Sequence, residues 1–291
     1  MADVKWDSQP LEAWSKLHAQ GKTIDLDGKQ THYLERGEGE PLILLHGFFY
    51  DSFMWASNID ALAKHFHVYA LDLWGFGYST RTLMDYSYAL YTKQVLAFMD
   101  RLGIAKASLI GQSMGGGVAI KLAVDHSDRV NKLVLVDAAG MPNQLPFSGK
   151  LIKAFPAVSR FMYGLNTDAI RKQGLADYFV FDKAMLTQTY FDDVTRFHKI
   201  KGTTDVFASI LQRDFFYTLR GEIEWLGRIG KRVLIVWGKE DKGNPVELGA
   251  GMHTLLPDSK MVVMENTRHV PNSEQPEEFN RHTLNFLCST P

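Results

Sequence analysis

Mostly apolar runs of strand length recur along the chain, and each is followed by a turn and then by a helix-like segment. The first four lie at Pro41–Leu45, Val68–Leu73, Ala107–Ile110 and Val130–Val136. A continuous apolar run is typical of a parallel strand that is buried on both faces, because helices then cover the sheet on either side. The pattern therefore predicts an α/β fold with a mostly parallel sheet.

The rest of the chain carries weaker periodic signals. Leu11, Trp14 and Leu17 recur three residues apart within residues 9–20, which predicts a short amphipathic helix with these side chains on one face. An Asp-Gly pair that starts at position 27 is typical of a hairpin turn. The further predicted strands are 23–27, 31–35, 232–237 and 261–265, and the further predicted helices are 54–64, 88–102, 118–124, 245–256 and 276–288.

The alternation of strands and helices stops between about residues 141 and 225. This segment is helical in character and dense in aromatic side chains, and Pro142, Pro146 and Pro156 interrupt its start. A segment this apolar cannot remain solvated as a linker, so we predict a helical cap inserted over the sheet, with a separate helical domain as the alternative. The predicted division is a core domain of residues 1–140 and 226–291 and a cap of residues 141–225.

Composition and charge narrow the class of protein. The 291 residues are 45% hydrophobic, which suits one large α/β domain or two small ones. The formal net charge is −1, without a basic stripe, so no nucleic-acid partner is expected. The single cysteine, Cys288, excludes an internal disulfide framework. No apolar run reaches the ~20 residues of a membrane span and the start lacks a signal-peptide core, so we expect a soluble, cytoplasmic protein without a membrane partner.

A Gly-x-Ser-x-Gly pattern, formed by Gly111, Ser113 and Gly115, lies between the strand that ends at Ile110 and the helix-like run that starts at Val118. A serine at a sharp turn from strand to helix takes a strained backbone conformation that exposes its hydroxyl. The flanking glycines are needed because a Cβ atom at either position would collide with neighbouring backbone. The pattern predicts a nucleophile elbow at Ser113, whereas the plainer interpretation is a glycine turn with an ordinary serine.

A nucleophile elbow requires a carboxylate and a histidine after later strands. Asp241 follows one late predicted strand, and His269 follows the next. The carboxyl ends of parallel strands share one edge of a sheet, so we expect Ser113, Asp241 and His269 to converge as nucleophile, acid and base. Glu240 and Asp137 are competing carboxylates, because the first adjoins Asp241 and the second ends the strand before the cap.

Two backbone N–H groups are expected to form an oxyanion hole, those of Phe48 in the turn after the first buried strand and of Met114 beside the nucleophile. His46, just before that turn, is expected to support the loop by hydrogen bonding rather than to react. The glycines within residues 74–79 form a plain turn and not a phosphate loop, because no Lys-Ser/Thr pair follows them. No Cys/His metal spacing appears, so neither a metal nor a cofactor is expected.

Together these motifs resemble the α/β-hydrolase fold superfamily, in its capped serine esterase and haloperoxidase-like branch. The resemblance covers about residues 22–140 and 228–288. It implies a mostly parallel eight-stranded sheet flanked by helices, an inserted helical cap and a Ser-His-Asp catalytic triad. The matching residues are His46–Phe48, Asp72–Ser79, Gly111–Gly116, Trp237–Asp241, His269–Pro271 and Glu274–Phe279.

The chain departs from the pattern of this superfamily at two positions. Relatives often have glycine before the histidine, where this chain has Arg268, which places a charge near the predicted site. They often have proline before the Gly-x-Gly turn, where this chain has Trp74. The residue type at the elbow also limits which reactions the protein is expected to catalyse. Relatives that hydrolyse epoxides or haloalkanes carry aspartate at the elbow and dienelactone hydrolases carry cysteine, so Ser113 implies acyl transfer.

The residues and the resemblance predict a carboxylesterase that cleaves small to medium, largely apolar esters through an acyl-enzyme on Ser113. An aromatic cap would exclude water and favour apolar groups. The predicted pocket is lined by Phe48, Phe49, Trp74 and Met141, together with aromatic side chains of the cap.

Two alternatives remain open from the sequence. A carbon–carbon hydrolase of ring-fission (meta-cleavage) products would share the fold, cap and triad, but it would need a polar pocket with an arginine for a carboxylate. A ligand receptor on the same fold would turn over slowly and signal through its cap. The expected partner is a small-molecule ester, and both a monomer and a homodimer are compatible with the sequence. The arginines available in the cap are Arg160, Arg171, Arg196 and Arg213.

Overall fold

An eight-stranded sheet is the centre of the fold in this computed structural model, which describes residues 4–143, 168–213 and 215–289. The strands are β1 Lys22–Leu26, β2 Lys29–Arg36, β3 Pro41–Leu45, β4 His67–Leu71, β5 Ala107–Gln112, β6 Val130–Val136, β7 Val233–Gly238 and β8 Lys260–Met264. Their order across the sheet is β1-β2-β4-β3-β5-β6-β7-β8. The β1–β2 and β2–β4 pairs are antiparallel and the other pairs are parallel, so the predicted fold class is confirmed.

Helices cover both faces of this sheet. The α-helices of the described residues, including those of the cap, are α1 Leu11–His18, α2 Ile59–Leu62, α3 Tyr88–Arg101, α4 Met114–Asp125, α5 Asp168–Gly174, α6 Gln188–Thr195, α7 Thr203–Arg213, α8 Arg220–Arg228, α9 Val246–Leu255, α10 Pro271–Glu274 and α11 Pro276–Leu287. Neighbouring side chains of the central strands, such as Ile43 and Leu44, belong to separate apolar clusters. One cluster includes α3, α4 and α8, and the other includes α2 and α11. This burial on both faces is why the strands appear as continuous apolar runs.

The strand order brings five loops together at one edge of the sheet. β3, β5, β6, β7 and β8 are consecutive neighbours and run parallel, so their carboxyl ends lie side by side. Ligand sites of open α/β sheets lie at this edge. The loops after these strands carry, in the same order, Phe48, Ser113, Asp137, Asp241 and His269.

A buried carboxylate, Asp72, organises the loops after β3 and β4. It accepts hydrogen bonds from the N–H groups of Ser52 at 2.7 Å and Tyr78 at 2.8 Å, and from His32 Nδ1 at 2.7 Å. Gly77 has φ +50, and a Cβ there would lie 1.9 Å from an Asp72 oxygen. The Gly-x-Gly turn therefore encloses a carboxylate of the chain itself.

Removing the charge of Asp72 is expected to destabilise the protein most between about pH 4 and pH 6.5. Burial disfavours the charged forms of both Asp72 and His32. Their ion pair nevertheless holds the pKa of Asp72 below its usual range and raises the pKa of His32. The Asp72 contribution is lost as the pH falls, and the His32 contribution is lost as it rises. Chemical denaturation of Asp72→Asn across this range measures the effect, and a pH-independent difference from the parent would contradict it.

The apolar face predicted for residues 9–20 is only partly right. Trp14 is buried, and its indole N–H donates to the Arg196 carbonyl at 3.0 Å, but Leu17 is 75% exposed. A three-residue spacing falls behind the helical repeat by about 60° at each step. Leu17 has therefore rotated away from the face that begins at Leu11.

The helix predicted over residues 54–64 is broken in two. A short 3₁₀ turn, Ser52–Trp55, precedes α2. Asn58 lies at the junction, where its buried side-chain amide donates to the Asn272 carbonyl at 2.9 Å and to Asn280 Oδ1 at 3.0 Å. The bend allows this side chain to join the segment to α10 and α11.

The described part of the predicted cap comprises residues 141–143, 168–213 and 215–225, with α5, α6, α7 and the start of α8. Residues 144–167 of the predicted cap, including Arg160 and several of its aromatic side chains, lie outside the described residues. The division into a core of 1–140 and 226–291 and a cap of 141–225 therefore stays a prediction. Among the described helices, none has both the length and the apolar character that crossing a membrane requires.

Candidate active site

Ser113 lies in a sharp turn between β5 and α4, with φ 49 and ψ −115. This left-handed backbone is unfavourable for a residue with a Cβ atom, and such strain is concentrated at functional sites. Glycine is required at the two positions that flank Ser113 for a steric reason. A Cβ on Gly111 would lie 2.3 Å from the Gly115 carbonyl oxygen, and one on Gly115 would lie 2.3 Å from the Leu45 carbonyl oxygen. The turn can therefore pass between β3 and β5 only with glycine at both positions.

Replacing Gly115 by alanine is expected to lower the free energy of unfolding by at least about 1–3 kcal/mol, because its Cβ would overlap a backbone oxygen that cannot rotate away. Gly221 in α8 is the matched control, since nothing lies within 4 Å of a Cβ built there. Gly221→Ala should change stability by less than about 1 kcal/mol, in the stabilising direction. Denaturant unfolding compares the two variants, and equal stability of Gly115→Ala and the parent would contradict the packing described.

His269 and Asp241 form a short hydrogen-bonded pair beside this turn. His269 Nδ1 lies 2.6 Å from Asp241 Oδ2. Because a carboxylate can only accept here, Nδ1 carries the proton and Nε2 is left as a base. Asp241 Oδ1 accepts from the N–H groups of Gly243 at 2.7 Å and Asn244 at 3.0 Å, so the carboxylate is fixed on both oxygens. Both side chains are buried, whereas Ser113 is partly exposed.

Gln112 joins the serine loop to the histidine loop. Its buried side-chain amide donates to the His269 carbonyl at 2.6 Å. Gln112, which precedes Ser113, therefore fixes the backbone that carries His269. This contact could not be predicted from the sequence, because glutamine before the serine has no distinctive pattern of its own.

The loop after β3 lies directly against Ser113. A Cβ built on Gly47 would be 3.1 Å from Ser113 Cβ. Met114 begins α4, where the first N–H groups of a helix have no partner within it. These positions suit the Phe48 and Met114 N–H groups to a shared oxyanion.

His46 is buried beneath the loop. Its Nε2 accepts from the Leu73 N–H at 3.0 Å and its Nδ1–H donates to the Gly47 carbonyl at 2.8 Å.

A residue of the cap also binds the loop that follows β3. Phe49 has a strained φ of 73, and its carbonyl accepts from His198 Nε2 at 3.0 Å. The other ring nitrogen of His198 accepts from Arg171 at 2.7 Å. Burial lowers the pKa of His198 well below its usual value, which keeps the imidazole neutral and able to act as donor and acceptor.

Aromatic rings pack beside the candidate triad. Phe179 of the cap lies edge-on to the His269 ring, with centroids 5.5 Å apart. Phe48 contacts Phe207 at 5.0 Å and Phe216 at 5.6 Å. These distances are typical of packed aromatic pairs. The enclosure over the candidate nucleophile is therefore apolar.

Two residues of the predicted pocket have other contacts in the structure. The Trp74 indole N–H donates to Thr31 Oγ1 at 2.9 Å, and Lys29 lies over its ring. Trp74 therefore packs against β2, and we leave it out of the proposed pocket. Met141 is buried, and its methyl group lies 3.2 Å from a Cβ built on Gly251 of α9. Its backbone position after β6 keeps it in the proposed pocket.

Arg268 and Glu274 connect the histidine loop to the cap. The Arg268 guanidinium donates to the carbonyl groups of Ala176, Asp177 and Val180. Glu274 accepts from the Arg268 N–H at 2.7 Å, and its other oxygen accepts from the Phe181 N–H at 2.5 Å. Arg268, which replaces the glycine that relatives often have, thus binds the backbone of the cap through its charged guanidinium.

The competing carboxylates differ in their contacts. Glu240 Oε2 accepts from the Thr267 N–H at 3.1 Å. Asp137 lies close to both Asp241 and His269, since side-chain oxygen or nitrogen atoms of the three residues lie within 4.8 Å of one another. Of the described carboxylates, Asp241 is the one hydrogen-bonded to the His269 ring. This geometry supports Asp241 as the acid of the candidate triad.

This chain is similar to known proteins in both sequence and structure. A family model described as the alpha/beta hydrolase fold matches residues 40–276. The dihydrolipoyllysine-residue acetyltransferase component of the acetoin cleaving system of Cupriavidus necator is 31% identical over 88% of the chain, which spans 66% of that relative's length.

Two further relatives are hydrolases by name. The 2-hydroxy-6-oxo-6-(2'-aminophenyl)hexa-2,4-dienoic acid hydrolase of Metapseudomonas resinovorans is 30% identical over 91% of the chain and 89% of that protein. The solved structure of the meta-cleavage product hydrolase CumD from Pseudomonas fluorescens IP01 is 28% identical, with a TM-score of 0.80 over 92% of this chain and 97% of that one. The similarity covers nearly the full length of these hydrolases.

Proposed function

Because the chain belongs to the α/β-hydrolase family, we propose that it is a serine hydrolase that cleaves carboxylic esters of small to medium, largely apolar substrates. The observation that carries this proposal is the hydrogen-bonded His269–Asp241 pair at the same sheet edge as the strained Ser113. A serine hydroxyl becomes a nucleophile when an oriented imidazole takes its proton, and Asp241 orients the His269 ring in this way.

In this mechanism Ser113 Oγ attacks the carbonyl carbon of the substrate while His269 Nε2 takes the hydroxyl proton. Asp241 holds the Nδ1–H and stabilises the imidazolium that forms. The oxyanion of the tetrahedral intermediate accepts from the N–H groups of Phe48 and Met114. His269 then protonates the departing alcohol. A water molecule activated by His269 releases the acid from the acyl-enzyme on Ser113.

The apolar enclosure supports an ester with an apolar acyl or alkyl group. Phe48, Phe49, Met141 and Phe179 would surround that group and exclude water. In the described part of the cap, the arginines that could bind a substrate carboxylate are instead paired with other side chains. The pairs are Arg171 with His198, Arg196 with Tyr78 and Arg213 with Asp85.

A carbon–carbon hydrolase is the second candidate, because relatives named for ring-fission substrates match this chain over about nine-tenths of its length. Such a substrate carries a dienoate carboxylate, which needs a cationic partner when it is desolvated. The engagement of Arg171, Arg196 and Arg213 is the reason for placing ester hydrolysis first.

One competition experiment separates these candidates. kcat/KM is measured for p-nitrophenyl esters of increasing acyl length and for a 2-hydroxy-6-oxo-dienoate ring-fission product. The proposal predicts a maximum at short or medium acyl length and a kcat/KM for the dienoate at least about tenfold lower, which corresponds to about 1.4 kcal/mol. A higher kcat/KM for the dienoate would establish the second candidate. Binding of either compound without turnover would instead favour a receptor.

A further inference from the structure

Asp137 is buried within the candidate site but has no part in the proposed reaction. It follows β6, has a positive φ of 42, and is fully buried. The residues around it hold the nucleophile. The Ser113 N–H donates to the Val136 carbonyl at 2.9 Å, and the Ala139 N–H donates to the Ser113 carbonyl at 2.9 Å. Asp137 therefore lies in the loop that fixes the backbone of Ser113.

The same residue is joined to the loop that carries Asp241. Asp137 Oδ1 accepts from the Gly238 N–H at 2.9 Å, and the Asp137 carbonyl accepts from the Asn244 side-chain amide at 2.9 Å. The Asn244 N–H in turn donates to Asp241. Asp137 thus connects the nucleophile loop to the acid loop.

The two carboxyl groups share one buried space, with oxygen atoms within 4.8 Å of one another. Two carboxylates this close, away from water, cannot both ionise without a large electrostatic cost. One of them therefore holds a proton. Asp137 Oδ2 is buried and receives no N–H or O–H bond from the described residues, so it is the free position for that proton.

Hydrogen-bond donors determine which carboxyl group stays ionised. Asp241 accepts from three groups, the N–H of Gly243, the N–H of Asn244 and His269 Nδ1. Asp137 accepts at its side chain from Gly238 alone among the described residues. Donors stabilise the anion, so Asp241 keeps the charge. Burial and then the Asp241 charge raise the pKa of Asp137 well above its usual value, in agreement with this assignment.

We propose that Asp137 is a neutral positioning residue whose carboxyl O–H donates to Asp241 and holds that carboxylate against His269. This role rests on the proposed function, because it requires the Asp241–His269 pair to act in catalysis. Asp137 does not touch the substrate. It links the backbone of the nucleophile to the acid, so that a change in one loop is transmitted to the other.

Asparagine and alanine at position 137 test this role. Asn has the shape of a protonated Asp: its amide N–H can donate to Asp241 and its oxygen can accept from Gly238. We expect Asp137→Asn to keep most of the parent's kcat and Asp137→Ala to lower it by about 10- to 100-fold, the range for loss of a supporting hydrogen bond. A 10⁴-fold loss in Asp137→Asn, the size expected for loss of a triad acid, would overturn the proposal, as would full activity in Asp137→Ala.

The pH profile separates a neutral Asp137 from an ionised one. The charged and titratable groups that face it are Asp241 after β7, His269 after β8 and Glu274 of α10. If Asp137 is neutral, Asp137→Asn changes no charge and leaves the acid limb of kcat/KM in place. If it were ionised, the substitution would remove a negative charge beside the imidazolium and move that limb to lower pH, which would overturn the proposal.

An infrared measurement tests the proton without any substrate. At about pH 8, where ordinary carboxyl groups are ionised, the parent minus Asp137→Asn difference spectrum should contain the carbonyl band of a protonated carboxyl group. Absence of the band would overturn the proposal even if the protein is an active hydrolase. Presence of the band in a protein that turns over no ester would refute the proposed function and leave the proton assignment intact.

A bound cation between the two carboxylates is the competing arrangement. It would require both groups to be ionised, and the three side chains could supply its ligands. Dialysis against a chelator is therefore the last control. We expect unchanged activity and an unchanged infrared band, and a loss of activity that a divalent cation restores would overturn the proposal.

Discussion

Ser113→Ala is expected to lower kcat for the preferred ester by roughly 10⁴- to 10⁶-fold, the range for loss of a serine nucleophile. The acyl-enzyme cannot form without the hydroxyl, although the oxyanion donors and the base stay in place. The side chain is partly exposed at the turn, so alanine leaves no large cavity. Steady-state hydrolysis with a saturating ester measures the loss.

Ser209→Ala in α7 is the matched control, because it removes a partly buried serine hydroxyl from a helix that carries none of the proposed catalytic residues. It should retain nearly all activity. Circular dichroism and thermal unfolding confirm that both variants are folded. Retention of more than about a tenth of parental kcat in Ser113→Ala would contradict a serine mechanism, because the nucleophile supplies far more than tenfold.

Asp241→Asn is expected to lower kcat by about 10⁴-fold with little loss of stability. Asparagine can still accept from the Gly243 and Asn244 N–H groups through its oxygen. Its amide nitrogen, however, would face His269 as a donor, so the imidazole would take the tautomer in which Nε2 carries the proton and is no longer a base. The expected loss is therefore in kcat, while KM changes little.

Asp258→Asn gives the control for this substitution, since Asp258 is exposed in the loop before β8. It should match the parent in both kcat and KM. Parental activity in Asp241→Asn, combined with a 10⁴-fold loss in Asp137→Asn, would assign the triad acid to the loop after β6 instead.

The sheet could be predicted from the sequence because its signals are local. A strand that is buried on both faces is apolar at nearly every position, as in β3 and β7, and that pattern can be recognised without knowing which strands pair. The elbow is local too, since Gly111 and Gly115 are required by backbone within the same turn and the strand beside it. The expected convergence of Ser113, Asp241 and His269 followed from the shared edge of a parallel sheet.

The contacts between loops could not be predicted in this way. Gln112 with the His269 backbone, Phe179 with the His269 ring and Arg268 with cap carbonyl groups join residues that are far apart in sequence. Each depends on how the cap and the loops pack, and none leaves a periodic pattern. Trp74 illustrates the same limit, because its position in the turn gave no indication that its indole would pair with Thr31.

The spacing of residues along the chain could not decide whether Asp137 or Asp241 is the acid. Both follow strands at the same edge, so the sequence left them as competitors. Their hydrogen bonds differ: His269 Nδ1 is bonded to Asp241 at 2.6 Å, while Asp137 Oδ2 is without a donor among the described residues. Only the three-dimensional arrangement makes one the proposed acid and the other its neutral support.

Covalent labelling tests the central claim, that Ser113 is a nucleophile activated by His269 and Asp241. The protein is treated with a fluorophosphonate, and the adduct is located by mass spectrometry of its peptides. We predict one phosphonyl group per chain, on the peptide that contains Ser113, absent in Ser113→Ala and formed much more slowly in Asp241→Asn. A folded parent that takes up no label, or a label that persists in Ser113→Ala, would contradict the account.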